Sequence, residues 1–88
     1  MITETLLAEL ADLIRREQDV KTLLRLEPYP VQPGRFVYLI ETPFESFPRF
    51  VCGTTDPTNS TVFIKAKSFR RESCEEEFTK LMGGSAQP

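Results

Sequence analysis

The chain has 88 residues, of which 40% are hydrophobic and 27% are charged, and its formal net charge at pH 7 is −2. These values are typical of one small globular domain with a single modest core. The sequence contains no histidine and no tryptophan. The lack of histidine excludes a histidine general base, a Ser-His-Asp or Cys-His nucleophile and histidine-ligated zinc or haem.

The charge is unevenly distributed, because a weakly basic centre over residues 34–71 lies between two acidic flanks. A dedicated nucleic-acid binder usually shows a basic excess over the whole domain. The N-terminal residues have neither the positive start nor the apolar run of a signal peptide, and every apolar run is too short to span a bilayer. We therefore expect a cytoplasmic protein that makes no membrane contact. Cys52 and Cys74 are expected to be reduced, although their spacing leaves a disulfide between them open.

Apolar residues in the first segment recur at intervals of three and four, which predicts an amphipathic helix. They are Ile2, Leu6, Leu7, Leu10, Leu13 and Ile14. Thr3 is the expected N-cap, so the helix should run from about residue 3 to at least residue 17. Because Val20, Leu23 and Leu24 prolong the pattern, a single helix to about Arg25 is favoured. The alternative is a break near Gln18 and Asp19, with an extra strand at about 20–27.

Three prolines between Glu27 and Gly34 remove backbone donors, which predicts an irregular loop and a turn at Pro33-Gly34. Three segments rich in β-branched and aromatic residues follow, and each is predicted to be a strand. Their ranges are 35–42, 49–54 and 61–67. The first is apolar on both faces and should therefore be central and covered. In the third, Val62, Ile64 and Ala66 are expected to face the core.

The last predicted element is a second helix, with a capping-box pattern over residues 73–76 and an apolar stripe at helical spacing. The stripe consists of Cys74, Phe78, Leu81 and Met82. Gly83 and Gly84 are expected to end the helix, with 85–88 as a flexible tail after a single domain of residues 1–84. The predicted fold is an α+β two-layer sandwich in the order helix, three-stranded antiparallel meander, helix. Both helices should pack on one face of the sheet and leave the other face open.

No constellation of catalytic or metal-ligating residues is present, so we expect a protein that is not an enzyme and holds no metal or cofactor. The favoured function is a small protein–protein interaction module: an adaptor, an assembly factor or an inhibitor of a larger complex. Aromatic side chains often anchor such contacts. The candidate anchors are Tyr29, Phe44, Phe47 and Phe50. A homodimer formed through a sheet edge or the first helix is a further expectation, because a small core gains stability from a partner.

The alternative function is nucleic-acid or anion binding by a basic and aromatic sheet face. Cations that alternate with an aromatic ring on an open sheet can pair with phosphates while bases stack on the ring. The candidate residues are Arg35, Arg49, Phe63, Lys65, Lys67, Arg70 and Arg71.

One set of residues resembles the strand–helix–Gly-Gly unit of small phycobilisome linker domains. The set comprises Ser60–Lys65, Phe69, Glu77, Phe78 and Leu81–Gly84. The resemblance implies that these residues form a strand followed by a helix. In that family a further strand follows the glycines, and the long N-terminal helix of the present chain is not part of that domain.

Overall fold

The structure is a computed structural model that describes residues 3–32 and 34–86. Two helices flank four strands, which form one antiparallel sheet in the order β1-β2-β3-β4. The elements are α1 (Glu4–Gln18), β1 (Arg25–Gln32), β2 (Arg35–Phe44), β3 (Phe47–Asp56), β4 (Thr61–Ser68) and α2 (Arg71–Ala86). The fold is therefore α+β, as predicted, but the sheet has four strands instead of three.

Helix α1 begins as predicted and ends earlier than predicted. The Thr3 side chain accepts a hydrogen bond from the Leu6 backbone N–H at 3.1 Å, which confirms the N-cap. Asp19 adopts the left-handed conformation with φ 52°, and its N–H bonds to the Arg15 carbonyl. Aspartate tolerates this conformation, which stops the helix. The favoured helix to Arg25 is wrong, and the alternative break at Gln18 and Asp19 is confirmed.

Strand β1 occupies the segment that we predicted to be irregular. Pro28 pairs with Tyr38, and Pro30 pairs with Phe36. In an edge strand, every second backbone N–H points away from the sheet and pairs with no neighbouring strand. Two prolines two residues apart can occupy such positions without removing a hydrogen bond between the strands. The prediction failed because proline is compatible with a strand that has a neighbour on one side only.

The β2–β3 hairpin is longer than the prolines at its end had indicated. Pro43 and Pro48 lie opposite each other, and the hairpin closes at the pair Phe44 and Phe47. Arg25, the first residue of β1, lies opposite Glu41, where the β1–β2 ladder ends. At Pro43, β2 therefore has no neighbouring strand on its outer side. Because no β1 carbonyl lies there, the lack of an N–H at Pro43 leaves no β1 carbonyl without a donor.

The two helices pack on opposite faces of the sheet, so the predicted two-layer sandwich is replaced by three layers. On one side, Ile14 of α1 packs with Tyr38, Ile40 and Val51, and we call this side the α1 face. On the other side, Cys74 of α2 packs with Leu39, Phe50 and Cys52, which define the α2 face. Strand β2 is buried from Phe36 to Ile40, as expected for a strand covered on both sides.

A register shift in the β3–β4 pairing moves the later part of β4 to the other face. Cys52 lies opposite Ala66, whereas the next β3 residue, Gly53, lies opposite Ile64, which leaves Lys65 as the extra residue of a β-bulge. Val62 therefore packs in the α1-side core, and Ala66 packs in the α2-side core. The predicted common core face of Val62, Ile64 and Ala66 is broken by this bulge.

Helix α2 begins two residues before the predicted cap and continues beyond Gly83. Its first residue is Arg71, and the N–H of Arg70 bonds to the Ser68 hydroxyl at 2.9 Å, so Ser73 is not the cap. The helix continues to Ala86, and the remainder of the predicted tail, residues 87–88, lies outside the described residues. Neither described helix is long and apolar enough to cross a membrane.

Candidate functional site

Three phenylalanine rings meet at the end of the β2–β3 hairpin. The Phe69 ring, in the connection between β4 and α2, makes edge contacts with Phe44 and Phe47 at centroid distances of 5.6 and 6.5 Å. Together with Pro48, these residues form what we call the aromatic patch. The patch and the neighbouring Glu45 line an open groove of about 430 Å³, near the lower end of the range for ligand pockets.

The aromatic patch is exposed, whereas the centre of β2 is buried. The exposed fractions are 41% for Phe44, 64% for Phe47 and 56% for Phe69. Alternation along the strands places Phe44 and Phe47 on the same side as Ile40 and Val51, which is the α1 face. Helix α1 therefore covers the middle of this face and leaves its hairpin end open.

Arg49 supplies positive charge to the aromatic patch. Its guanidinium lies 4.6 Å from the centre of the Phe44 ring, within the range of a cation–π contact. Its Nε is buried without a hydrogen-bond partner among the described residues. No ion pair involves Arg49 within residues 3–32 and 34–86. The site therefore combines a largely apolar groove with a cation that forms no ion pair within the described residues.

Strand β4 extends this positive charge along the edge of the sheet. Lys65 and Lys67 are exposed, and in the described part of the chain neither forms an ion pair. Lys67 lies opposite Val51, which places it on the α1 face diagonally from Arg49. The basic charge and the aromatic patch therefore form one continuous surface at the β4 end of this face.

The structure separates the predicted anchor residues. Phe44 and Phe47 lie together in the aromatic patch, but Phe50 is only 8% exposed and belongs to the core of the α2 face. Tyr29 is 53% exposed on β1, at the opposite edge of the sheet. Sequence reasoning missed Phe69. An aromatic residue placed between Ser68 and Arg70 at a strand–helix junction was the available signal.

The residues of the nucleic-acid alternative do not share one surface. Phe63 lies opposite Thr54 on the α2 face, with Arg35 at the same end of the sheet. Arg49 and Lys67 are on the α1 face. Arg71 is ion-paired with Glu27 on β1 and with Glu75 at 3.5 Å, and Arg70 lies 4.0 Å from Glu72. No described observation favours a continuous phosphate-binding face.

Both cysteine thiols are buried and free. Burial raises the pKa of Cys52 to about 12, and the neighbouring Cys74 adds to the rise. Burial also raises the pKa of Cys74, whose thiol donates to the Phe50 carbonyl at 3.4 Å. A thiol held neutral is a poor nucleophile, which agrees with its role as a small core residue. The described residues contain no cluster of potential metal ligands.

Comparison of the chain with protein-family models, with curated proteins and with solved structures found no match. The resemblance to phycobilisome linker domains therefore gains no support from known proteins. Function has to be inferred from the geometry of the aromatic patch and its surroundings.

Proposed function

We propose that the protein is a small, non-enzymatic protein–protein interaction module whose aromatic patch receives an apolar side chain of a protein partner. The observation that carries this proposal is the contact of three exposed rings beside an unneutralised arginine. Single exposed apolar residues are ordinary on a protein surface, whereas a contiguous aromatic group is typical of a binding site.

The energetics favour a partner contact at this position. Phe44, Phe47 and Phe69 are held by mutual edge contacts, so a partner would restrict few additional side-chain rotations when it covers them. Aromatic residues at the centre of an interface commonly contribute about 2 kcal/mol or more when they are truncated. Arg49 adds a preference for a partner that carries a carboxylate or carbonyl oxygen close to its apolar side chain.

Site-specific photo-crosslinking tests this proposal. Benzoylphenylalanine is placed at position 69 in one variant and at position 29 in another, because Phe69 and Tyr29 are both aromatic and are 56% and 53% exposed. We expect irradiation in the native cells to produce an adduct of defined mass from position 69 and none from position 29.

A second substitution in the position-69 variant, Phe47→Ser, should abolish the adduct, because Phe47 contacts the Phe69 ring. An adduct from position 29 alone, or identical adducts from both positions, would contradict the aromatic patch as the docking surface. The absence of adducts from both positions would contradict the proposed function as a whole.

A further inference from the structure

We infer that the partner is an extended acidic segment, which pairs as an additional strand with the open edge of β4 and places an apolar side chain in the aromatic patch. This inference rests on the proposed function and names the class of partner.

The two edges of the sheet offer different hydrogen-bonding groups. The sheet order makes β1 and β4 its edges, and within the described residues no strand pairs with the outer side of either. Strand β1 contains Pro28 and Pro30, so its outward positions lack two amide donors. Strand β4 contains no proline, and each of its residues carries an N–H. An added strand needs alternate donors and acceptors, and only β4 presents both without interruption by proline.

The charge on β4 selects an acidic partner. Lys65 and Lys67 are exposed and without ion pairs among the described residues, and the strand contains no acidic side chain. Arg49 lies on the same face as Lys67. Exposed charge pairs contribute little net affinity, so these cations mainly determine which segment binds. Backbone pairing and the aromatic anchor would provide most of the affinity.

A second copy of the chain is a poor occupant of this edge. Antiparallel pairing of two β4 strands would bring the lysines of one copy close to those of the other, and like charges on adjacent strands are destabilising. Exposed lysines are a feature by which sheet edges resist pairing with a second copy of the same strand. The same lysines attract a strand that carries glutamate or aspartate.

The aromatic patch continues directly from this edge. Strand β4 ends at Ser68, and the next residue, Phe69, contacts both Phe44 and Phe47. The groove lies toward β2 and β3, so a segment laid along the outer side of β4 reaches it by crossing Phe69 at the end of the strand. One extended segment can pair with β4 through its backbone and fill the groove with a side chain beyond the paired residues.

Fluorescence anisotropy with designed peptides tests the inference. The probe is a fluorescein-labelled peptide in which glutamate and valine alternate over six residues and a phenylalanine follows. The first control replaces each glutamate with lysine, and the second methylates alternate backbone nitrogens on the edge that would pair with β4. We expect binding of the acidic peptide only, and both controls should bind at least about tenfold more weakly.

Variants of the protein distinguish the contributions. The double variant Lys65→Glu/Lys67→Glu should weaken binding of the acidic peptide by about tenfold, whereas Lys21→Glu, an exposed charge reversal in the loop before β1, should leave binding unchanged. Phe69→Ser should also weaken binding, with the far-ultraviolet circular dichroism spectrum retained.

Equal binding of the methylated and unmethylated peptides would overturn the added strand, and equal binding of the acidic and basic peptides would overturn the charge selection. If no peptide binds while position 69 still gives its crosslink, the acidic strand is wrong and the proposed function stands. If both experiments fail, both proposals are wrong.

Discussion

Gly53 lies opposite Tyr38 in the β2–β3 ladder, at the point where β4 forms its bulge. A Cβ atom at this position would lie 1.8 Å from the Phe63 carbonyl oxygen and 3.0 Å from the Tyr38 hydroxyl. The close neighbour is backbone, which cannot rotate away as a flexible side chain would. The bulge and the close approach of β4 to Tyr38 therefore require glycine at position 53.

We predict that Gly53→Ala lowers the free energy of unfolding by about 3 kcal/mol, because strands β3 and β4 must separate to admit the methyl group. Gly83→Ala is the matched control, since a Cβ there has no atom within 4 Å. In a helix this substitution should raise the free energy by roughly 0.5–1 kcal/mol. Urea unfolding followed by circular dichroism measures both. Similar effects of the two variants would show that the close approach at Gly53 is unimportant.

At the scale of the elements, Tyr38 connects three of them through one hydroxyl group. The hydroxyl accepts a hydrogen bond from the Gln18 side chain of α1 and donates one to the Phe63 carbonyl of β4 at 3.2 Å. Tyr38 itself is fully buried in β2, and burial raises its pKa. Its ring packs in the core beneath α1, while its hydroxyl links a side chain of α1 to a carbonyl of β4.

We predict that Tyr38→Phe lowers the free energy of unfolding by about 1–3 kcal/mol, because the Gln18 amide and the Phe63 carbonyl each lose a buried partner. Tyr29→Phe removes the same hydroxyl from an exposed position and should change stability by less than about 0.5 kcal/mol. Addition of Gln18→Ala to both backgrounds gives a double-mutant cycle. A coupling near zero between Gln18 and Tyr38 would contradict this link between α1 and the sheet.

At the scale of the whole molecule, each core layer contains a buried, weakly acidic hydroxyl or thiol that burial keeps protonated. Tyr38 lies in the layer beneath α1, and Cys52 and Cys74 lie in the layer beneath α2. Burial is the largest cause of the raised pKa in all three residues. The stability of the protein must therefore depend on pH in the alkaline range, through both layers at once.

The sign of this dependence follows from the direction of the shifts. The ordinary pKa of the Cys52 thiol is 9.0, and in the folded protein it is about 12. Between these values the unfolded chain loses a proton that the folded chain keeps, so the folded state is disfavoured as pH rises. The stabilisation is fully present below pH 9.

We predict constant stability between about pH 7 and 8 and a loss above pH 9 that approaches about 1.4 kcal/mol per pH unit for each group that titrates. Urea unfolding at a series of pH values measures this loss. Tyr38→Phe should reduce the slope above pH 10, the ordinary pKa of tyrosine. Stability that is unchanged up to pH 11 would contradict the burial of these acids.

Several features could be predicted because their causes are local. Thr3 caps α1 with its own side chain, and β-branched and aromatic residues make the segments of β2, β3 and β4 extended wherever they are placed. Phe44 and Phe47 were identified as candidate anchors because three phenylalanines occur within seven positions of this segment. The function of these residues remains a prediction that the experiments above can test.

Other features depended on neighbours distant in the sequence. Pro28 and Pro30 are compatible with β1 only because that strand is an edge, and Phe69 belongs to the aromatic patch only because of the register of β4 against β3. An apolar stripe shows that a helix packs on the sheet, but the stripe is the same for either face. For this reason the sequence could not decide whether the helices cover one face or both, and the predicted single layer of helices is wrong.

The amino-acid sequence alone determined that this chain has no imidazole for catalysis, that its central strands are extended and that its first helix is amphipathic, because side-chain chemistry and local backbone preference decide these properties. Only the tertiary structure decided that α1 and α2 cover opposite faces, that Phe50 is buried while Phe47 is exposed, and that cations and rings converge beside β4. Those outcomes depend on strand order and register, which are set when separate segments pack together and exclude water from both sides of one sheet.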